Sequence, residues 1–196
     1  MSQASDEELR ERAEALRHGA FDNDTLAECF AVINETIRRR IGAWQVFDPA
    51  YVHSDISRYR DAAHDLTGTD KTIAETLAYV SEESASRYFA DIDLPAEFYG
   101  AVRESSLADA LRFEPTDEQI AAGRLMLDRT VVEMDAGEGK TVAAAFPAIT
   151  QALSERKVHV ITANDYLALR DAELLAPAYE IPRPDGRHCA GSHGRR

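Results

Sequence analysis

The chain has 196 residues, with 22 basic and 35 acidic side chains and a formal net charge of −13. Its length allows one globular domain or a domain with a helical insert, and no run of 18 apolar residues is present that could span a membrane. The acidic balance disfavours binding to nucleic acid phosphates, and two cysteines, Cys29 and Cys189, without an apolar leader segment, favour a reducing cytoplasm over a disulfide framework.

The first predicted element is a helix that begins near Ser5. Ser5 and Glu8 have the spacing of a capping box, in which each side chain bonds to the backbone N–H of the other residue. A second apolar-rich segment covers residues 26–35 and reads Leu-Ala-Glu-Cys-Phe-Ala-Val-Ile-Asn-Glu. Residues 1–44 are assigned to this N-terminal region.

Residues 45–112 are predicted to form a helical insert. From Thr72 to Phe89 the apolar residues recur at a spacing of roughly 3.6, which is typical of an amphipathic helix, and Asp93-Leu94-Pro95 is a break between helices. The aromatic side chains of the insert are expected in a small core; they are Tyr51, Tyr59, Phe89, Phe98 and Tyr99. His53 and His64 form only a weak metal-binding pattern. Arg58 and Arg60 form only a weak nucleic acid-binding pattern.

The most informative segment runs from Met134 to Thr141 and reads Met-Asp-Ala-Gly-Glu-Gly-Lys-Thr. It matches the phosphate-binding pattern G-x-x-x-x-G-K-[ST], except that Met134 replaces the first glycine. Gly137 and Gly139 let successive backbone N–H groups converge on phosphate oxygens. Lys140 would reach the β- and γ-phosphates of a nucleotide, and the Thr141 hydroxyl would join the shell of a Mg²⁺ ion. The following helix would direct its N-terminal dipole at the same anion.

The segments on either side of this loop predict a βαβ unit with parallel strands. Thr130-Val131-Val132 is a short β-branched run, and Val142 opens an alanine-rich helix that continues to about Glu155, with a kink at Pro147. Val158–Thr162 is typical of a second, buried parallel strand. The predicted fold class is therefore α/β.

Residues 158–173 read Val-His-Val-Ile-Thr-Ala-Asn-Asp-Tyr-Leu-Ala-Leu-Arg-Asp-Ala-Glu. Together with residues 132–141, this segment resembles the preprotein translocase ATPase family SecA, which carries E-M-x-T-G-E-G-K-T and V-H-V-x-T-x-N-D-Y-L-A-x-R-D-A-E. Residues 5–9 and 26–35 are similar to the N-terminal helices of that family.

The polar pair Asn164-Asp165 allows two interpretations. It follows the second predicted strand, and the carboxyl ends of parallel strands are where open α/β sheets bind ligands. Either residue could equally cap the helix that begins at Tyr166. Both interpretations remain open at the level of the sequence.

The resemblance implies a partial P-loop motor domain (superfamily 2, RecA-like) over residues 113–180, with ATP and Mg²⁺ as cofactors. It implies that Gln119 contacts the adenine, since an amide offers a donor and an acceptor to the N6/N7 edge; a solvent-facing glutamine is the alternative. The other residues implied to hold the nucleotide are Gly137, Glu138, Gly139, Lys140 and Thr141, with Thr141 also at the Mg²⁺. For the intact family it implies ATP-driven movement of unfolded preproteins through the Sec membrane channel, by a protein of the cytoplasm and the inner face of the membrane.

Four departures from the family pattern bear on this site. Asp135 stands where a basic residue is usual, and its carboxylate would repel a triphosphate. Ala136 removes one hydroxyl from the loop. Glu114 and Thr116 replace an arginine and an aromatic residue before the glutamine, which predicts weaker packing on the base.

Residues 181–196 differ in composition from the rest of the chain, because they carry a net charge of +3 against −16 for residues 1–180. We expect a disordered tail of frameshifted origin. No D-E-A-D-like carboxylate motif occurs in the 56 residues after Lys140, so we also expect a truncated chain without ATPase activity of its own. The tail also contains one cysteine and two histidines that could bind a metal, but they are too few to predict a site. They are His188, Cys189 and His193.

Three functional interpretations follow from these observations. The first is a SecA-like ATP-binding motor fragment. The second is a superfamily 2 helicase-like protein or a non-catalytic nucleotide-binding module, which would share the glycine loop. The third is an inactive truncated remnant, which an unpaired sheet edge would favour.

Overall fold

The computed structural model describes residues 3–17, 22–47, 59, 66–83, 92–109 and 111–179. The expectations for the tail, residues 181–196, lie outside the described residues. So do those for Tyr51, His53, Arg58, Arg60, His64, Phe89, His188, Cys189 and His193.

The described part of the chain forms seven α-helices. In chain order they are α1 (Asp6–Ala15), α2 (Asn23–Ile37), α3 (Gly68–Glu83), α4 (Ala96–Glu104), α5 (Asp117–Leu127), α6 (Lys140–Leu153) and α7 (Asp165–Tyr179). A π-helical turn, Arg38–Gly42, and a 3₁₀ turn, Ala43–Phe47, extend α2. None of the described helices is both long and apolar enough to cross a membrane.

The first two helices begin at side-chain caps. The Glu8 N–H donates to Ser5 Oγ at 3.1 Å and the Ser5 N–H donates to Glu8 Oε2 at 2.7 Å, so the predicted capping box is confirmed. Asp22 caps α2 by accepting the Thr25 N–H at 2.9 Å. That backbone hydrogen bond lowers the pKa of the Asp22 carboxyl.

The predicted parallel strands are wrong, because no strand or sheet occurs among the described residues. Residues 130–132 and 158–162 have no regular secondary structure. Their apolar side chains face solvent, with Val131 96% and Ile161 90% exposed. A parallel strand is stabilised by ladder hydrogen bonds and by cover on both faces, and these runs have neither. The described fold is therefore helical rather than α/β.

One hydrophobic core joins the N-terminal helices to the helices that follow the glycine loop. It contains side chains of α1, α2, α6 and α7. At its centre the rings of Phe30 and Phe146 lie 5.1 Å apart, and Val32 and Ile33 are fully buried. The N-terminal helices and the two helices that follow the glycine loop, residues 134–139, thus share one core.

A second core lies within the insert and includes side chains of the 3₁₀ turn, α3 and α4. Phe98 stacks on Phe47 at 5.4 Å and meets Tyr99 edge to face at 5.2 Å. Tyr59 and Phe98 are fully buried and Tyr99 is 2% exposed. The expectation that these aromatics form a core is confirmed for those three residues.

A buried polar network connects the two cores. Arg39, in the π-helical turn, is 2% exposed and donates to Glu35 Oε1 at 2.8 Å, to Asp6 Oδ1 at 3.0 Å and to the Ala4 carbonyl at 2.7 Å. Its guanidinium lies 4.1 Å from the centre of the Tyr99 ring. A buried cation is tolerated only when its donors are satisfied, and here the partners come from α1, α2 and α4.

Asp6 is the acceptor that ties α1 to the insert. The Tyr99 hydroxyl lies 2.8 and 2.7 Å from the two Asp6 oxygens, and the Leu94 N–H donates to Asp6 Oδ2 at 3.0 Å. Trp44 Nε1 donates to the Tyr99 hydroxyl at 2.9 Å. Burial raises the pKa of Tyr99 well above its ordinary value, with a further rise from the Asp6 carboxylate. The phenol therefore stays protonated as a donor.

Candidate functional site

Two packed helices position the candidate site. The glycine loop leads directly into α6, and α5 packs against α6. At their crossing, a Cβ atom on Gly123 would lie 2.8 Å from the Phe146 Cβ and 2.9 Å from the Ala143 carbonyl oxygen. Only a glycine at position 123 allows α5 to approach α6 this closely, and this approach brings Gln119 to the loop.

The loop before α6 is shaped by two glycines with positive φ. Gly137 has φ of 94° and Gly139, the N-cap of α6, has φ of 72° and ψ of 42°. L-residues with a Cβ rarely adopt this left-handed region. The Glu138 N–H closes the turn onto the Asp135 carbonyl at 3.3 Å. Gly137 and Gly139 thus adopt backbone conformations that favour glycine.

The first turn of α6 leaves backbone donors available. Within the described part of the chain, the backbone N–H groups of Gly139, Lys140 and Thr141 make no hydrogen bond. Successive N–H groups at a helix N-terminus, together with the helix dipole, favour an anion at that position. These donors fit the phosphate groups of a nucleotide.

Lys140 is the first residue of α6 and its side chain is exposed. Its Nζ donates to the main-chain oxygen of Asp135 at 2.5 Å, which folds the side chain back over the loop. The side chains of Asp135 and Glu138 are exposed, whereas Thr141 is half-buried at the second position of the helix. The Lys140 ammonium group is therefore bound to a main-chain carbonyl oxygen of the loop. A bound phosphate would compete with that oxygen for the ammonium group.

Gln119 lies at the third position of α5 and contacts the loop directly. Its Oε1 accepts the Thr116 N–H at 3.1 Å and its Nε2 donates to the Glu138 carbonyl at 3.0 Å. A primary amide carries two N–H groups and two acceptor lone pairs, so Gln119 keeps one donor and one acceptor for a ligand. The structure brings Gln119, Glu138, Gly139 and Lys140 together.

The contact of Gln119 with Thr116 escaped the sequence interpretation. Thr116 and Gln119 form a capping box, in which the Gln119 N–H also donates to Thr116 Oγ1 at 3.3 Å. The signal was present, because a threonine followed three residues later by glutamine has capping-box spacing. Thr116 thus starts α5, which is a role that the family's aromatic residue could not fill in the same way.

Glu114 also has partners that the sequence did not reveal. Its Oε1 lies 3.3 Å from Arg38 Nε, and its Oε2 lies 2.8 Å from Arg112 Nη2. Arg38 comes from the π-helical turn, 76 positions earlier in the chain. An acidic residue at position 114 is therefore matched by arginines in this chain.

Asn164 acts as a helix cap. Its Oδ1 accepts the Leu167 N–H at 2.9 Å, and its carbonyl accepts the Ala168 N–H at 3.1 Å. Of the two interpretations of the Asn164-Asp165 pair, the structure supports capping of α7 by Asn164. In the described part of the chain, no group of three or more His, Cys, Asp and Glu side chains is arranged to hold a metal ion.

Comparison with known proteins confirms the resemblance noted in the sequence. Residues 1–182 match the family model described as the SecA DEAD-like domain. Similar curated proteins, each called protein translocase subunit SecA, come from Desulforapulum autotrophicum (41% identity over 113 residues, 58% of this chain and 13% of the relative), Mycobacterium avium (39% over 127 residues, 65% and 15%) and Rubrobacter xylanophilus (44% over 89 residues, 45% and 10%). The matched part is thus no more than about a seventh of these relatives' length. No solved structure matches the chain.

Proposed function

Because the chain belongs to the SecA DEAD-like domain family, we propose that it is an ATP-binding part of a preprotein translocase motor. The proposal assigns nucleotide binding to residues 113–180, N-terminal packing to residues 1–44 and a separate role to the insert, residues 45–112. ATP with Mg²⁺ is the proposed ligand. The proposed partners are unfolded preproteins and the Sec membrane channel, which places the protein in the cytoplasm and at the inner face of the membrane.

The observation that carries the proposal is the geometry of the first turn of α6. Gly139 enters the helix in a left-handed conformation, and the N–H groups of Gly139, Lys140 and Thr141 are available as donors. We propose that these groups and Lys140 hold the β- and γ-phosphates, with Thr141 contributing its hydroxyl to the Mg²⁺. The ligand would supply the hydrolysable phosphate anhydride.

Gln119 is proposed as the adenine contact. Its remaining N–H donor and acceptor lone pair suit the acceptor N7 and the donor N6 of adenine. Guanine presents an oxygen at the position of N6, so the same amide would lose one hydrogen bond with GTP. Gln119 is half-buried, and an ordinary hydrogen bond contributes about 0.5–1.5 kcal/mol, which corresponds to a preference for ATP of about two- to tenfold.

The test is a calorimetric titration of the full chain with MgATP and MgGTP. We expect binding of MgATP, weaker binding of MgGTP, and loss of MgATP binding in Lys140→Ala. Gln119→Ala should reduce the preference for ATP over GTP. Lys157→Ala, which removes an exposed lysine outside the loop, is the matched control and should bind as the unchanged chain does.

Two results would count against the proposal. MgATP binding of unchanged affinity in Lys140→Ala would show that the nucleotide binds elsewhere. Equal affinity for MgATP and MgGTP, unaffected by Gln119→Ala, would remove the assigned role of Gln119 while leaving that of the loop.

A further inference from the structure

A concave pocket of about 330 Å³ lies between the π-helical turn, α4 and residues 108, 109 and 111–114. Its lining includes no residue of α5, the glycine loop, α6 or α7, so it is separate from the proposed nucleotide site. Four arginines line the pocket: Arg38, Arg39, Arg103 and Arg112. Three carboxylates line it as well: Glu35, Asp109 and Glu114. The lining therefore carries one excess positive charge in a chain whose net charge is −13.

The ion pairs of the pocket differ in how firmly they are held. Glu35 Oε2 lies 2.9 Å from Arg38 Nη1, and the Glu35 side chain is only 4% exposed. Glu114 reaches Arg38 at 3.3 Å and Arg112 at 2.8 Å, but its side chain is 41% exposed and that of Arg112 is 64% exposed. Exposed ion pairs contribute little to stability, so Glu114 can be displaced at low cost while Glu35 stays in place.

The positive charges of the pocket are crowded. Burial lowers the pKa of the Arg103 guanidinium. The nearby positive charges of Arg38 and Arg39 lower it further, whereas Glu35 and Glu104 raise it. The next layer contributes Asp6, Glu104 and Arg40. The lining and this layer together hold five charges of each sign, so displacement of Glu114 leaves one excess positive charge. Clustered like charges in a concave, partly desolvated site attract an anion.

The remaining walls are apolar and aromatic. They consist of Ala43, Tyr99, Val102, Ala108, Leu111 and Phe113. A cavity of this size that combines apolar walls with charged groups is large enough for a small organic molecule and larger than a bare inorganic ion needs. The occupant should therefore combine an anionic group with an apolar body.

We propose that this pocket binds a small organic monocarboxylate with an aromatic or branched apolar body. Once Glu114 is displaced, the lining and the next layer keep one excess positive charge. One carboxylate balances that charge, whereas a dianionic phosphate ester would leave the pocket negative. A guanidinium presents paired N–H donors that match the two oxygens of a carboxylate. The ligand carboxylate takes the place of the Glu114 carboxylate on Arg38 and Arg112, and the body lies against Phe113.

The test uses phenylacetate as the probe on the full chain, followed by calorimetry. Phenylacetamide is the neutral isostere and phenyl phosphate the dianionic analogue. We expect phenylacetate to bind more tightly than either. Arg112→Gln should weaken its binding by about tenfold, since a hydrogen bond to a charged group typically contributes 1.5–3 kcal/mol, and Glu114→Gln should tighten it, because the competing carboxylate is gone.

Two control variants separate this site from the rest of the chain. Arg124→Gln removes an arginine of α5 that pairs with Asp128 outside the pocket, and Lys140→Ala removes the cation of the glycine loop; neither should change the affinity for phenylacetate. Because Arg112 and Glu114 are exposed, their variants should unfold at the same urea concentration as the unchanged chain. Equal binding of phenylacetamide, tighter binding of phenyl phosphate, or an affinity that neither Arg112→Gln nor Glu114→Gln alters would overturn the proposal.

Discussion

Gly139 and Gln119 are so close that a Cβ atom at position 139 would lie 2.3 Å from Gln119 Nε2. Glycine is thus required at position 139 for two reasons. The backbone is left-handed there, and the Gln119 side chain occupies the space that a Cβ atom would need. The hydrogen bond from Gln119 to the Glu138 carbonyl depends on this approach. The loop and the start of α5 are therefore held to each other by one amide.

Gly139→Ala is expected to destabilise the chain by more than the left-handed backbone alone explains. That backbone costs a residue with a Cβ about 1–2 kcal/mol, and displacement of Gln119 adds the loss of its hydrogen bonds, about 0.5–1.5 kcal/mol each. Urea unfolding measures the change. Gly68→Ala is the matched control, because Gly68 has φ of 60° and nothing within 4 Å of its Cβ position. Equal losses in the two variants would rule out the contact with Gln119.

Asp135→Lys is expected to tighten MgATP binding severalfold, because it replaces a negative charge near the loop with a positive one. Glu133→Lys makes the same charge change two residues earlier, at another exposed position, and should have a smaller effect. Calorimetry in which Asp135→Lys weakens binding, or in which both variants act alike, would place residue 135 away from the phosphates.

Asp6→Ala is expected to lower the free energy of unfolding by about 3–5 kcal/mol, because it leaves the buried Arg39 without one of its carboxylate partners. Glu7→Ala, at the adjacent and exposed position, should change it by less than about 0.5 kcal/mol. Both values come from urea unfolding. Similar values for the two variants would mean that the network contributes no more than an exposed first-turn acid.

Tyr99→Phe is expected to change how stability depends on pH. The pKa of Tyr99 is raised by burial from an ordinary value of 10.0, so its contribution is complete below about pH 10 and is lost as the pH rises through the folded-state pKa. The unchanged chain should lose stability above about pH 10, and Tyr99→Phe should lose less there while being about 1 kcal/mol less stable near neutral pH. Tyr79→Phe, at a side chain 43% exposed, should retain the alkaline loss. A loss of the same size in Tyr99→Phe would exclude Tyr99 as its source.

Local features of the fold could be predicted from the sequence. The capping box of Ser5 and Glu8 depends on residues three apart, and the conformations of Gly137 and Gly139 depend on the absence of a Cβ. The helix after Lys140 follows from its alanine-rich composition. The cause of each of these features lies within a few residues of it, so the local sequence predicts them.

The parallel strands could not be judged in the same way. The β-branched runs at 130–132 and 158–162 have the composition of strands, but a strand exists only where a neighbour pairs with it. The Arg39 network was equally hidden, since its members Asp6 and Tyr99 are 93 positions apart and have no shared pattern. The pairing of Glu114 with Arg38 belongs to the same class of non-local contact.

The distance between Asp6 and its partners has a consequence during synthesis of the chain. Leu94 and Tyr99 follow Asp6 by 88 and 93 residues, and at about 5–20 residues per second a ribosome needs roughly 5–20 seconds to make that stretch. In this interval the Asp6 carboxylate gains Arg39 as a partner but lacks the Leu94 N–H and the Tyr99 hydroxyl. The contacts that join α1 to the insert can therefore form only after α4 has been translated.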